Sequence, residues 1–135
     1  MELTWESARR VLKNTKTIAV VGLSSKPDRP SHEVASYLQN AGYRIIPVNP
    51  TIQEVLGERA YKSLRDIPER VDVVQIFRRP EAVPAIVDDA IAIGAKVVWM
   101  QPGTENDGAA ARAEAAGVRA VVGACMRTVH RNLRL

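Results

Sequence analysis

Cysteine and aromatic residues are scarce in this sequence, and long hydrophobic runs are absent. The 135 residues include one cysteine, Cys125, and two histidines. A single cysteine excludes an intramolecular disulfide, and so few cysteines and histidines leave no ligand set of the zinc-site type. No apolar run approaches the roughly 20 residues that a membrane-spanning helix needs. We therefore expect no metal and no membrane span.

The same scarcities bear on localisation and partners. The segment Met1–Glu6 places acidic residues ahead of any apolar stretch, which is not the pattern of a signal peptide. Together with the single cysteine, this favours a cytoplasmic protein. Aromatic residues make up 4% of the chain, and no predicted helix carries a continuous basic face. Nucleic acid is therefore a disfavoured partner.

The length limits the organisation of the chain. It allows one domain, residues 1–135, but is usually too short for a nucleotide-binding domain plus a separate substrate domain. Folding would bury about 68% of the unfolded surface, and 46% hydrophobic residues can fill that core. The net charge of +4 favours an anionic partner, and a small phosphate-bearing ligand fits better than nucleic acid.

Strands and helices alternate along the whole sequence. Apolar runs predict five strands, at Thr17–Gly22, Tyr43–Val48, Val71–Phe77, Lys96–Met100 and Val118–Val122. Helical spacing predicts helices at Trp5–Asn14, Ser31–Ala41, Glu81–Ile93, Asn106–Ala116 and Cys125–Leu133. Pro47 lies inside a strand, where it predicts a local irregularity. The alternation indicates a single-domain, Rossmann-like α/β fold with a doubly wound, parallel five-stranded sheet and helices on both faces.

One local pattern occurs three times: a helix end, a glycine, a basic residue and then an apolar strand. The glycines are Gly42, Gly94 and Gly117. Glycine at the end of a helix is typical of a helix C-terminus. The pattern indicates the αβ turn of a parallel sheet, used repeatedly.

In such a fold, ligands bind beyond the carboxyl ends of the strands. This rule selects five loops, all rich in Gly, Pro, Ser, Asn or Arg: residues 23–31, 49–51, 78–80, 101–103 and 123–125. The first loop follows Gly22 and leads into a helix N-terminus, which is a favourable place for a phosphate. Lys26 and Arg29 add positive charge there. The alternative is a solvated loop with Ser31 as the helix cap, since neither a Walker sequence nor G-x-G-x-x-G is present.

The end of the second strand argues against a common dinucleotide site. Proteins that bind NAD usually place an acidic residue there, whereas this sequence has Val48-Asn49-Pro50. A ligand with an extra ribose phosphate would favour this neutral end and the nearby cations of the first and third loops. Coenzyme A and NADP both meet that description, and electrostatics alone does not separate them.

Four short motifs at strand ends resemble a known family. They are GLSSK at 22–26, PVNP at 47–50, VVQIFRRPE at 73–81 and VWMQPG at 98–103. They resemble the small stand-alone CoA-binding domain proteins, which are similar to the N-terminal CoA-binding domain of the succinyl-CoA synthetase alpha subunit. The resemblance extends over residues 14–133. Two positions depart from the pattern: Gly123-Ala124 replaces an Asp-Arg pair that often precedes the late cysteine, and Thr51 stands where the synthetase has a lysine.

The resemblance assigns each motif to one part of coenzyme A. It implies that the CoA phosphates contact Gly22, Ser24, Ser25 and Lys26, and that the adenosine lies against Val48, Asn49 and Pro50. It further implies that Phe77, Arg78 and Arg79 line the approach of the pantetheine and phosphates, and that Gln101, Pro102 and Gly103 border the thiol arm.

No catalytic residue is predicted. If Cys125 and His130 share a helix, their spacing turns them about 140° apart, which disfavours a nucleophile–base pair. If Cys125 lies near the ligand, a mixed disulfide with the CoA thiol is a hypothesis. His32 follows the first loop and is predicted to be a helix-surface residue. By the resemblance, the phosphohistidine of the synthetases belongs to a second domain.

Two further predictions concern burial. Trp99, in a central strand, is expected in the core. Asp72, Asp88, Asp89 and Glu114 show no partner in the sequence and are expected to be solvated.

The favoured interpretation is a module that binds coenzyme A or an acyl-CoA at the carboxyl edge of the sheet, in a non-catalytic binding or regulatory role. The alternative is an NAD(P)-binding redox sensor or small oxidoreductase. A third interpretation is an interaction domain whose nucleotide pocket is vestigial. A monomer and a homodimer both remain open.

Overall fold

The computed structural model describes residues 4–135, which form five helices and seven strands. The helices are α1 (Trp5–Asn14), α2 (Pro30–Asn40), α3 (Val83–Ala92), α4 (Asp107–Ala115) and α5 (Met126–Leu133). The strands are β1 (Thr17–Val21), β2 (Arg44–Val48), β3 (Glu54–Val55), β4 (Glu58–Arg59), β5 (Val73–Ile76), β6 (Val97–Met100) and β7 (Arg119–Val122). Within residues 4–135, none of the helices has the length and apolar character needed to cross a membrane. Met1–Leu3, part of the segment used to assess a signal peptide, lie outside the described residues.

Five strands form one parallel sheet in the order β2-β1-β5-β6-β7. Helices α1, α2 and α5 cover one face, and α3 and α4 cover the other. The chain runs from β1 through α2 to the edge strand β2, and then returns to β5 on the opposite side of β1. This topology confirms the predicted doubly wound α/β fold.

The predicted boundaries differ from the observed ones by one or two residues at most ends. The helix predicted at 81–93 is divided into a 3₁₀ turn, Pro80–Ala82, and α3, whose first turn contains Pro84 as expected. The β3–β4 hairpin and a second 3₁₀ turn, Leu64–Asp66, were not predicted. Strands of two residues leave no periodic signal in a sequence, which explains why this segment was missed.

The repeated αβ turns are confirmed. Gly42, Gly94 and Gly117 each follow a helix and have φ values between +76° and +106°. At Gly42, for example, the peptide N–H donates to the Gln39 carbonyl at 3.0 Å, closing the last turn of α2. Each turn then delivers the chain directly to the amino end of a strand.

Pro47 is accommodated without the irregularity that the sequence predicted. β2 pairs with β1 without interruption. The Arg44 N–H and the Val48 carbonyl both form hydrogen bonds on the side of β2 that faces β1. Position 47 alternates with these, so the nitrogen of Pro47 faces the outer edge and no ladder hydrogen bond is lost. On that side the Pro47 carbonyl accepts from the Tyr61 N–H at 2.9 Å. The edge position of β2 is therefore what tolerates the proline.

Trp99 lies in the core, as predicted. It is fully buried on the face covered by α1, α2 and α5, where its Nε1–H donates to the Ala124 carbonyl at 2.6 Å. This bond joins β6 to the loop before α5. Burial of a tryptophan with its N–H satisfied is the stable arrangement for this side chain.

The prediction that Asp72 is solvated is wrong. Asp72 is 8% exposed, and its Oδ2 accepts from the backbone N–H groups of Lys16 at 2.9 Å and Thr17 at 3.1 Å. Its Oδ1 lies 3.8 Å from Lys96 Nζ. The carboxylate therefore joins the amino ends of β1, β5 and β6. The other three acids also have partners: Asp88 binds Arg112 at 2.9 Å, Asp89 binds Arg65 at 2.7 Å, and Glu114 accepts from the Ala120 N–H at 2.8 Å.

Candidate functional site

A cleft of about 830 Å³ opens at the carboxyl edge of the sheet. β1 and β5 are neighbours, but β1 leads into α2 on one face and β5 leads toward α3 on the other. The loops after these two strands therefore diverge and leave a gap, which is the usual ligand position in a doubly wound sheet. Loops after β1, β2, β5 and β6 line it.

The loop after β1 is tied to the first turn of α2. Ser24 N–H donates to Ser31 Oγ at 3.0 Å, and the Ser24 carbonyl accepts from His32 Nδ1 at 2.9 Å. Lys26 N–H donates to Ser24 Oγ at 3.1 Å. Within residues 4–135, the peptide N–H groups of Ser25 and Ser31 have no acceptor. Two backbone donors therefore remain available in residues that line the cleft.

Ser31 does not cap α2, so this part of the alternative interpretation of the first loop is wrong. The helix begins at Pro30, with Arg29 at the N-cap and no side-chain cap hydrogen bond. Proline at the first helical position lacks an N–H that would otherwise need a partner. The Ser31 hydroxyl is instead used to hold the preceding loop in place.

Gly22 lets the chain turn out of β1 in a crowded position. Its φ is +91°, its N–H donates to the Val48 carbonyl at 2.9 Å, and the Phe77 N–H donates to the Val21 carbonyl at 2.9 Å. A Cβ built on Gly22 would overlap the Phe77 carbonyl oxygen and come within 3.0 Å of Arg78 Cδ. Only glycine fits between the ends of β2 and β5, so the floor of the cleft depends on this residue.

Four cations line the cleft: Lys26, Arg29, Arg78 and Arg79. Among residues 4–135, the first three have no carboxylate partner within 4.0 Å, and Arg79 lies 3.9 Å from Glu81. No aspartate, glutamate, histidine or cysteine is among the described lining residues. The cleft is therefore suited to an anion and offers no acid–base or thiol group at its surface.

The net charge of the chain comes from elsewhere. Residues 4–16 and 126–135, which contain α1 and α5, hold seven Lys and Arg against one Glu, and residues 17–125 hold twelve against thirteen acids. The overall charge of +4 thus reflects the two terminal helices rather than the cleft. The anionic preference of the cleft depends on the local placement of its four cations.

Asn49 positions the neighbouring loops. Its Nδ2 donates to the Leu23 carbonyl at 3.0 Å, and its Oδ1 accepts from the Thr51 N–H at 2.9 Å and Oγ1 at 2.7 Å. The side chain therefore fixes the β1 loop against the β2 loop while also lining the cleft. Thr51, which departs from the family pattern, completes this arrangement.

A smaller crevice of about 200 Å³ lies beside the cleft, where Val48 and Pro50 are located. Its wall is largely apolar, with Leu64 and Ile86 opposite the end of β2, and Arg78 lines both cavities. The predicted adenosine residues are therefore divided, with Asn49 in the larger cavity and the other two in the smaller one.

The loop after β6 forms the opposite wall of the cleft. Pro102 and Gly103 line it, whereas Gln101 is 3% exposed and points into the protein. Gln101 Oε1 accepts from Gln75 Nε2 at 3.2 Å and from the Met126 N–H at 2.9 Å. The structure thus gives Gln101 a supporting position beneath the wall.

Eleven of the fourteen predicted site residues line the main cleft, and Val48, Pro50 and Gln101 do not. The sequence interpretation missed five lining residues: Pro30, Ser31, Thr51, Ile52 and Thr104. Pro30, Ser31 and Thr51 lie inside the predicted loops but were not named as site residues, and Ile52 and Thr104 each lie one residue beyond a predicted loop. Ser31 and Thr104 are both buried, with 6% of each residue exposed, and no local sequence pattern predicts that burial.

Cys125 and His130 do not share a helix, because α5 begins at Met126. Cys125 directly precedes α5, whereas His130 Nδ1 lies 2.8 Å from the Tyr37 hydroxyl. Burial lowers the pKa of His130. Within residues 4–135, no group of three or more metal-ligating side chains is present.

Comparison with known proteins identifies the family. Residues 16–131 match the family model of the CoA binding domain. The chain belongs to the CoA-binding domain family. Among curated relatives, the Bacillus subtilis protein YneT is 42% identical over 122 residues, covering 90% of each chain. An ADP-forming acetate–CoA ligase of Archaeoglobus fulgidus is 30% identical over 96 residues, and the matched region is 69% of this chain but 14% of that ligase.

Solved structures agree with this assignment. A protein from Pyrococcus horikoshii superposes with a TM-score of 0.96 at 43% identity, covering 98% of this chain and 94% of that one. An acetyl-coenzyme A synthetase of Candidatus Korarchaeum cryptofilum, in complex with phosphate and ADP, gives a TM-score of 0.74 at 29% identity and covers 83% of this chain. The match covers 26% of that synthetase. The predicted resemblance to CoA-binding domains is therefore confirmed.

Proposed function

We propose that residues 1–135 act as one module that binds coenzyme A or an acyl-CoA in the cleft without performing chemistry on it. The supporting observation is that the described cleft combines four cations with Ser and Thr hydroxyls and contains no carboxylate, imidazole or thiol in its lining. Such a surface favours a polyanionic ligand. Membership of the CoA-binding domain family supports CoA as that ligand.

The phosphates would lie at the start of α2. The N-terminus of this 11-residue helix carries a partial positive charge, and the free N–H groups of Ser25 and Ser31 can donate to phosphate oxygens. Lys26 and Arg29 lie in the same loop as Asp28, but among residues 4–135 neither cation has a carboxylate oxygen within 4.0 Å. Charge-assisted hydrogen bonds of this kind are the strong ones in a phosphate site.

The adenine would occupy the smaller crevice beside Val48 and Pro50. Its apolar walls suit the faces of a purine, and Ser63 and Asp89 supply polar groups at its rim. Arg78 lines both cavities, so its guanidinium is placed to contact a ribose phosphate that passes between them. The pantetheine arm would then run past Phe77 toward Pro102 and Gly103.

Thermal-shift measurements with CoA, acetyl-CoA, NAD, NADP and ATP test this proposal. A ligand that binds only the folded state stabilises it by about 2.7 kcal/mol at 100 times its Kd. We expect CoA and acetyl-CoA to raise the melting temperature, and the other three to leave it unchanged. Stabilisation by NAD or NADP alone would favour the redox interpretation, and no stabilisation by any ligand would favour a vestigial pocket.

Two variants test the arrangement within the cleft. Lys26→Ala and Arg78→Ala each remove one contact to phosphate, and a charge-assisted hydrogen bond contributes about 1.5–3 kcal/mol, or roughly tenfold or more in Kd. Lys13→Ala is the matched control, because it removes the same charge at the opposite edge of the sheet. Calorimetric CoA affinity equal to that of the control in both variants would contradict the assignment.

A further inference from the structure

Lys62 is a cation that the sequence interpretation did not place at the ligand-binding edge. It lies in the segment after the β3–β4 hairpin and lines the smaller crevice together with Val48 and Pro50. The residue is exposed, and among residues 4–135 its ammonium has no carboxylate oxygen within 4.0 Å. An unpaired positive charge is therefore available at the wall of this crevice.

The backbone holds Lys62 in place beside the edge strand β2. Tyr61 bridges β2 in the parallel sense: its N–H donates to the Pro47 carbonyl at 2.9 Å, and its carbonyl accepts from the Asn49 N–H at 2.9 Å. Because the bridge is parallel, the residue that follows Tyr61 lies at the carboxyl edge, beyond the end of β2. Leu64, two residues further on, is buried, with 2% of the residue exposed. Lys62 is therefore held between two anchored residues on the outer side of the ligand-binding edge.

A second unpaired cation lines the same crevice. Arg78 reaches it from the loop after β5, and among residues 4–135 it has no carboxylate oxygen within 4.0 Å. Asp89 also lines the crevice, but its carboxylate is already bound by Arg65 Nε at 2.7 Å. An uncharged purine needs no cation beside it, whereas two unpaired cations favour an anion there. The crevice therefore suits a purine nucleoside that carries an anionic group on its ribose.

We propose that Lys62 binds the ribose 3′-phosphate of coenzyme A and makes the module selective for CoA over 3′-dephospho-CoA. This inference rests on the proposed function, because adenosine in the smaller crevice brings the 3′-phosphate to Lys62. It assigns specificity to a residue that lies outside the five predicted loops and outside the lining of the main cleft.

The order of the elements separates the 3′-phosphate from the diphosphate. Along the carboxyl edge, the segment of Lys62 is followed by β2 and then by β1, whose loop leads to α2. Neighbouring strands are about 4.8 Å apart, so roughly 10 Å separate this segment from β1. The 5′-diphosphate and the 3′-phosphate project from opposite faces of the ribose ring. With the diphosphate at α2, beside Lys26 and Arg29, the 3′-phosphate is directed outward to Lys62.

Calorimetric titration with CoA and with 3′-dephospho-CoA tests the proposal. The two ligands differ only in the 3′-phosphate, and one charge-assisted hydrogen bond to it corresponds to roughly tenfold or more in Kd. We expect the wild type to bind CoA at least about tenfold more tightly than 3′-dephospho-CoA. Lys62→Ala should bind CoA about tenfold more weakly than the wild type does, and 3′-dephospho-CoA with unchanged affinity.

Three controls separate this contact from a loss of structure or a general change of charge. Unchanged affinity of Lys62→Ala for 3′-dephospho-CoA reports that the crevice is intact. Lys13→Ala removes the same charge at the opposite edge of the sheet and should keep the full preference for CoA. Lys62→Arg retains a cation at the crevice and should also prefer CoA.

The outcomes distinguish the specificity residue from the binding function. Equal affinity of the wild type for the two ligands would overturn the role of Lys62 and leave the CoA-binding module standing. A preference for CoA that Lys62→Ala keeps, or an equal loss of affinity for both ligands in that variant, would also overturn it. If the wild type binds neither ligand, the proposed function fails as well.

Discussion

Substitution of Gly22 by alanine gives a direct measure of how closely the ends of β1 and β5 approach each other. The added Cβ would meet the Phe77 carbonyl oxygen, and the φ of +91° is unfavourable for alanine. The conformational cost is about 1–2 kcal/mol, and the loss of freedom that alanine brings to the unfolded chain recovers about 0.4–1 kcal/mol of it. Displacing the backbone to relieve the overlap adds about 1–3 kcal/mol. We expect a loss of roughly 2–4 kcal/mol in the free energy of unfolding.

Gly42→Ala provides the matched control. Gly42 has a similar φ of +106°, but a Cβ there would have no neighbour within 4 Å. It therefore carries the conformational cost alone, about 1 kcal/mol or less after the effect on the unfolded chain. Urea unfolding followed by circular dichroism gives both values. The reasoning is refuted if the two variants lose the same stability, because the overlap with Phe77 would then cost nothing.

Three further predictions concern stability. Asp72→Ala leaves the part-buried backbone N–H groups of Lys16 and Thr17 without their acceptor and should cost about 1–3 kcal/mol. Lys96→Ala should cost under about 1 kcal/mol, because its ammonium is exposed. Similar losses of the two variants in urea unfolding would contradict the role of the carboxylate. Trp99→Phe removes the bond to Ala124 and should lower the unfolding midpoint, while Trp5→Phe, at an exposed side chain, should not. Burial lowers the pKa of His130 in the folded state, so the unfolded chain binds more protons as pH falls below about 6.5. The free energy of unfolding should therefore fall from pH 7 to pH 5, and His130→Gln should reduce this slope.

Much of the fold could be predicted because its signals are local. Buried parallel strands are continuously apolar, and the glycine after each helix marks a turn, so the five strands of the main sheet and the five helices were located to within one or two residues. The β3–β4 hairpin was missed because its strands are too short for periodicity. The irregularity at Pro47 was wrongly expected, because an edge strand tolerates proline and the sequence does not state which strand is at the edge.

The candidate site was predictable at the level of loops. Parallel strands place all their carboxyl ends at one edge, and this rule located the loops that line the cleft. The sequence did not predict the direction in which individual side chains point. Gln101 belongs to a lining loop but points inward, because the Met126 N–H and the Gln75 amide bind it from positions 25 and 26 residues away. The net charge of the chain was also a misleading indication of a basic cleft, since the excess of basic residues lies in the segments that contain α1 and α5.

The sequence by itself determined the five helices, the five strands of the parallel sheet, the edge that carries the loops and the motifs of the CoA-binding domain family. These features depend on residues that are close together in the chain. Tertiary structure decided the order of the strands, the two cavities joined at Arg78, the burial of Asp72 and the proximity of Gln75, Gln101 and Met126. These contacts join residues on different strands, and the physical reason is that parallel strands are connected by long crossovers. Neighbours in the sheet are therefore distant in the sequence, where no local pattern records their contact.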